Sequence, residues 1–183
     1  MQRTANARRH SLGFTLIELC TGLGICAALL GQAVPAMSQL HQQQRLRVAN
    51  QELAFDLRLA RAEATRLNES VFFRVSGRGS QACYVMYTGI KDDCDCTVKG
   101  QASCKSATAQ VIKSTWFSTQ QPVVIQSNVE TFQFQSQQGL VTQTGSIDLS
   151  LNGSSSVRQV VAITGRARTC FVNTPLFGLL KCK

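Results

Sequence analysis

The sequence predicts an α+β fold in which one long N-terminal helix, membrane-spanning in its first half, packs its second half on an antiparallel β-sheet domain. Three observations carry this expectation. An apolar run from Phe14 to Val34 is followed by apolar residues at helical spacing as far as Leu67. Beyond residue 68 the chain changes to short runs of Val, Phe, Ile and Thr separated by Gly, Ser and Asn, the pattern of strands and turns. Within that part, Thr131-Phe132-Gln133-Phe134-Gln135 alternates apolar and polar residues, which buries one strand face and wets the other. The expected division is a leader over 1–13, a helix over 14–67 with its membrane half at 14–34, and a β-rich domain over 68–183. A chain of 183 residues leaves room for one such domain beside the helix.

As a helix, the roughly 21 residues from Phe14 to Val34 span about 31 Å, close to the hydrocarbon thickness of a bilayer. Arg3, Arg8 and Arg9 precede the run. By the positive-inside rule they keep the N-terminus in the cytoplasm and send the rest across. A secretory signal peptide fits less well, because no small-residue cleavage site follows a short apolar core and Glu18 interrupts the run. A carboxylate in hydrocarbon costs several kcal/mol, on the order of 3, unless it is protonated or has a partner. Pro35 is tolerated as a kink in a long helix. Leu46, Ala49, Leu53, Leu57, Ala60, Ala64 and Leu67 then form the face that packs on the domain. Arg45, Arg58, Arg61 and Arg66, interspersed with Glu52, Asp56, Glu63 and Glu69, read as a solvated helix surface. Strands are expected near Val71–Val75, Cys83–Thr88, Val123–Gln126, Thr131–Gln135, Ser146–Leu151 and Gln159–Thr164, in one antiparallel sheet covered by the helix.

Of eight cysteines, Cys20 and Cys26 lie in the apolar run and read as small apolar fillers. Cys83, Cys94, Cys96, Cys104, Cys170 and Cys182 lie in the expected exported part and imply up to three disulfides. Cys94 and Cys96 are too close in sequence to bridge each other comfortably, so each reaches Cys83, Cys104 or a more distant partner. Cys170 and Cys182 are expected to bridge each other around a loop containing Pro175 and Gly178. No metal is expected: Lys91-Asp92-Asp93-Cys94-Asp95-Cys96 lacks the Gly and terminal Glu of a calcium loop, and Cys94 and Cys96 lack zinc spacing. The only histidines are His10 and His41, so the β-rich part has no Ser-His or Cys-His pair, and no catalytic residue or cofactor is expected. Loss of the three leader arginines takes the formal charge from +9 to +6. A basic surplus favours anionic partners without identifying one.

Leu12-Gly13-Phe14-Thr15-Leu16-Ile17-Glu18-Leu19 resembles the processing site of type IV prepilins and type II secretion pseudopilins. The resemblance implies cleavage by a prepilin peptidase between Gly13 and Phe14, methylation of the Phe14 amine, and pairing of Glu18 with that amine on a neighbouring pilin. It further implies a type IV pilin-like fold, a single-pass inner-membrane location with a periplasmic domain, and incorporation into a pilus. The passage from Leu57-Arg58-Leu59-Ala60-Arg61-Ala62-Glu63-Ala64 into Val71-Phe72-Phe73-Arg74-Val75 is similar to the helix-to-first-strand passage of the GspH/FimT branch.

Ile163-Thr164-Gly165-Arg166-Ala167-Arg168 resembles the C-terminal Gly-Arg-x-Arg motif of FimT-like minor pilins that bind DNA in natural transformation. In an extended backbone Arg166 and Arg168 point the same way about 6.6 Å apart, and Gly165 leaves room for a phosphate chain to approach. A Cys170–Cys182 loop would bring Lys181 and Lys183 toward them and assemble a basic patch. The sequence is therefore read as a minor pilin contacting double-stranded DNA through Gly165, Arg166, Arg168, Lys181 and Lys183. Two alternatives remain, a type II secretion pseudopilin and a minor pilin acting only in assembly priming or adhesion.

Overall fold

A computed structural model describes residues 13, 15–77, 82–97, 100–117, 123–151, 155–176 and 178–182, without the side chains of 32–36 and 39. Helix α1 runs from Leu16 to Leu67 and continues through Pro35. Its start carries a Thr-x-x-Glu capping sequence: the Glu18 amide donates to Thr15 Oγ1 at 3.4 Å, and Glu18 places an acid in the first turn, where the helix dipole favours one. Its end is marked by Asn68 at φ 54°, the left-handed position that stops a helix. The chain divides into two compact units, Met1–His41 and Gln42–Lys183.

In the first unit Leu16, Ile17, Leu19, Leu23, Ile25, Leu29 and Leu30 are exposed by between 59% and 82%. Among the described residues no helix is long and apolar enough to cross a membrane. Phe14 and the side chains that close the expected span lie outside those residues.

The second unit holds every buried residue of the described chain, from Leu46 onward, so its core is complete without the residues before Gln42. Among the described residues ten strands follow α1: β1 (Val71–Ser76), β2 (Cys83–Thr88), β3 (Cys94–Asp95), β4 (Ser103–Cys104), β5 (Gln110–Trp116), β6 (Val123–Ser127), β7 (Thr131–Phe134), β8 (Gly145–Leu151), β9 (Ser155–Val161) and β10 (Ala167–Phe171). They form two four-stranded antiparallel sheets, ordered β5-β2-β1-β7 and β10-β9-β8-β6, and a short β3-β4 ribbon. The expected single sheet is thus two, and both face the helix. Leu46, Leu53, Leu57, Ala60 and Ala64 of α1 share one core with Phe73, Tyr84, Phe132 and Phe134 of the first sheet and Ile125, Ile147, Leu149 and Val157 of the second. Leu67, expected on that face, is exposed at the helix end.

The other face of β1 and β2 is also covered. Phe72, Val85 and Tyr87 pack beneath the ribbon, which disulfides Cys83–Cys96 and Cys94–Cys104 hold in place. The three carboxylates of that loop are spent separately. Asp92 Oδ1 accepts from Thr131 Oγ1 at 2.6 Å and Arg74 at 3.2 Å, Asp93 accepts from Ser106, and Asp95 Oδ1 accepts from the Cys96 amide at 2.6 Å.

Asp56, expected on the solvated surface, is fully buried. It accepts from Tyr84 Oη at 2.6 Å, and the Lys113 ammonium of β5 lies 2.8 Å away. Burial, then the bond to Asp56, pushes the Tyr84 phenol far up. Burial alone would lower the Lys113 ammonium, but its bonds to Asp56 and Glu52 outweigh that and raise it. A second buried polar link joins Gln159 Nε2 of β9 to Asn50 Oδ1 of α1 at 2.6 Å and to Thr169 Oγ1 of β10 at 2.8 Å.

Candidate functional site

The strand expected over Gln159–Thr164 instead ends at Val161, and the residues after it form a hairpin turn into β10. The Gly165 amide donates to the Ala162 carbonyl at 2.8 Å, and the Ala162 amide donates to the Arg166 carbonyl at 3.0 Å. Gly165 has φ 71°, a conformation that a side chain would strain. Arg166 and Arg168 therefore sit at the mouth of a turn, and the expected extended run through Arg166 is corrected: Ala162 through Gly165 must reverse the chain before β10 can pair with β9.

Gly165 does not face open space. A Cβ there would lie 2.0 Å from the Gly139 carbonyl oxygen and 3.2 Å from Cδ and Nε of Arg61. Gly139, at φ 60°, is equally close, with its added Cβ 2.6 Å from Arg61 Cγ. The two turns are also joined by the Val141 amide, which donates to the Ile163 carbonyl at 2.9 Å. The stem of Arg61, half-buried, thus lies across two glycines. The room expected at Gly165 for a phosphate chain is occupied by protein.

Beside this contact is an open cleft of about 600 Å³. One wall is α1 (Arg58, Arg61, Ala62, Thr65), and the other is the hairpin (Gly165, Arg166, Ala167, Arg168), with Gln138 between them. Four arginines line it and no acidic residue does. Among the described residues none of the four makes an ion pair, whereas Arg66 pairs with Glu63 at 2.6 Å and Arg158 with Asp148 at 2.6 Å. Like charges gathered without a counter-charge repel, and an anion entering the cleft relieves that repulsion. Planar guanidiniums offer forked donors suited to phosphate or carboxylate oxygens.

Lys181 is not part of this cleft. It bridges Phe171 in parallel: the Phe171 amide donates to the Leu180 carbonyl and the Cys182 amide to the Phe171 carbonyl, both at 3.0 Å. The Cys170–Cys182 disulfide (S–S 1.99 Å) fixes this tail along the outer edge of β10. Because the bridge is three residues along the strand from Arg168, the loop does not deliver Lys181 to the arginines. Lys183 and Phe14 lie outside the described residues. Gly13 and Glu18 are exposed, with no atom within 4 Å of a Cβ placed on Gly13.

Arg58 and Arg61, expected on a solvated helix surface, are exposed and half-buried respectively, and both line this cleft. A signal was present: neither has an acid three or four residues away on the helix, while Arg66 has Glu63 at the right spacing.

The sequence profile of the family described as "Type II transport protein GspH" matches residues 49–165, well over half of the chain. The chain belongs to the GspH family. Among solved structures, this GspH-family chain is similar to the type IV minor pilin FimU of Pseudomonas aeruginosa. One crystal structure is 14% identical, covering 67% of this chain and 86% of that one with a TM-score of 0.51. A second crystal form is 16% identical over 67% and 90%, with a TM-score of 0.48. At such identity the first likeness shows the fold alone. No curated protein matches the sequence. Family and fold together make the chain a GspH-family protein with a pilin-like α+β fold. The family match stops at Gly165, so Arg166, Arg168 and the disulfide-held tail lie beyond it.

Proposed function

We propose that the protein is a minor type IV pilin that binds double-stranded DNA without sequence preference and aids its uptake in natural transformation. The observation that carries this reading is the cleft at the Gly-Arg-x-Arg turn, where Arg166 and Arg168 stand free of carboxylate partners beside two further arginines. Arg contacts to phosphates position nucleic acid but carry no sequence information. In this reading the chain is cut between Gly13 and Phe14, the Phe14 amine is methylated, residues 14–34 anchor it in the inner membrane, and residues 68–183 face the periplasm until it joins a pilus. A mature N-terminus other than Phe14 by mass spectrometry would sink that part. Glu18→Ala should spare cleavage and weaken incorporation beside neighbouring pilins, and unchanged incorporation would remove its role in assembly.

The test of DNA binding uses the unit from Gln42 to Lys183, whose core is complete, titrated against labelled duplexes at several salt concentrations. Arg166→Gln with Arg168→Gln should flatten the slope of log affinity on log salt by about 1.8. Equal slopes and affinities for the two proteins would return the motif to a structural role. The family description favours a second reading, a type II secretion pseudopilin. In that case neither protein binds DNA, and deletion of the gene impairs secretion rather than transformation. A minor pilin serving only assembly priming or adhesion would likewise leave DNA unbound.

A further inference from the structure

We infer that Arg58 and Arg61 of α1 are contacts of the same phosphate-binding site, and that Gly139 and Gly165 form the seat that holds Arg61 in place to make its contact. The inference rests on the DNA-binding reading and deepens it by assigning the second wall of the cleft.

Arg58 and Arg61 are three residues apart, so their side chains lie next to each other on one helix face and both line the cleft opposite Arg166 and Arg168. None of the four has a carboxylate partner among the described residues, although carboxylates serve Arg66 on the same helix and Arg74 and Arg158 on the sheets. Cations on two facing walls can engage a phosphodiester backbone from both sides, where the hairpin pair alone would touch it from one.

The seat makes Arg61 more than a fourth charge. An arginine free in solvent loses on the order of 2 kcal/mol of rotamer freedom when it is fixed by a ligand. Arg61 has its stem already laid against two turns whose positive-φ glycines allow that approach: an added Cβ would lie 2.6 Å from Arg61 Cγ at Gly139 and 3.2 Å from its Cδ at Gly165. Part of the ordering cost is therefore met by folding, and Arg61 still lines the cleft.

The experiment uses the Gln42–Lys183 unit and a labelled duplex oligonucleotide across a salt series. Arg58→Gln with Arg61→Gln should lower the salt slope by about 1.8, as much as the hairpin pair does. Gly139→Ala pushes a side chain into the Arg61 stem and should lower the slope by about 0.9, while Arg66→Gln leaves it unchanged. Arg58→Gln alone, at an exposed position remote from the core, should lower the slope by about 0.9 and guards against a folding defect in the other variants. If the helix variants keep the wild-type slope while the hairpin variants lose theirs, the second wall is overturned and the DNA-binding reading stands. Absence of duplex binding by the wild-type unit overturns both.

Discussion

Replacing Asp56 by Ala tests how the helix is fixed to the first sheet. Asp56 lies between Leu53 and Leu57 in the buried stripe of α1, is fully buried, and accepts from Tyr84 Oη at 2.6 Å and from Lys113 at 2.8 Å. Removing it takes away the acceptor of the buried Tyr84 hydroxyl, which keeps only Thr115 beside it, at a cost of about 1–3 kcal/mol. Lys113 loses less, because its side chain is about a third exposed and keeps Glu52 at 3.2 Å, so the ion pair is discounted to no more than about 1 kcal/mol. The expected loss is about 3 kcal/mol, which for a domain of this size lowers Tm by about 6–12 °C. Lys113→Met should cost at least as much, because it leaves the carboxylate buried without its cation. Calorimetry of the Gln42–Lys183 unit measures both. In a cycle with Tyr84→Phe, the Asp56→Ala loss should shrink by about 1–2 kcal/mol, since no hydroxyl is left to strand. Additive losses, or a Tm drop under about 3 °C for Asp56→Ala, would refute the assignment.

The same cluster sets an alkaline limit. The Tyr84 phenol and the Lys113 ammonium are both raised in the folded state, so each binds its proton more tightly folded than unfolded. Their contribution is complete below the ordinary values of 10.0 and 10.5 and is lost as pH rises beyond them, so urea midpoints should hold to about pH 9.5 and fall above it. A rise in stability over that range would contradict the sign. Replacing Cys170 and Cys182 by Ser should cost about 2–4 kcal/mol and speed hydrogen exchange at the Phe171 amide, which donates to the tail. Unchanged exchange there would show that the tail is held without the bridge.

How much of this was legible depends on what each buried position carries. Strands β1 and β2 stood out because Val71–Val75 and Cys83–Thr88 are apolar on both faces, the outer one being covered by the disulfide-held ribbon. Strand β5 was hidden by Lys113, which reaches the buried Asp56 and so interrupts the apolar alternation. The start of β9 was hidden by Ser155, Ser156 and Arg158, and its buried Gln159 satisfies Asn50 and Thr169 rather than an apolar neighbour. Periodicity counts apolar residues only. Asp56 therefore looked like surface, although it lies, like Asn50, on the packed face of the helix. At the site, the hairpin arginines were visible as a motif because they are adjacent in sequence. Their helix partners were not, because what joins them is a turn contact between Gly139, Gly165 and Arg61, residues separated by most of the domain.

The cleft and the exposed apolar helix face place different demands on one chain. All residues lining the cleft belong to the unit that begins at Gln42, while Leu16, Ile17, Leu19, Leu23, Ile25, Leu29 and Leu30 belong to the other. Side chains of that size each gain about 1.5–3 kcal/mol when taken out of water, so on the proposed reading of a pilus subunit their burial drives assembly without help from the cleft. On the proposed DNA-binding reading the cleft is then free to bind weakly. Four phosphate contacts imply a salt slope near −3.6, hence an affinity falling about 150-fold between about 50 and about 200 mM salt. Such a site captures and releases, and gains strength only where several are presented together. Linking two Gln42–Lys183 units by a flexible tether should therefore tighten binding to a long duplex by about 100-fold or more, while a duplex too short to reach both clefts gains little. Equal gains on short and long duplexes would mean that the tether, not a second cleft, holds the DNA.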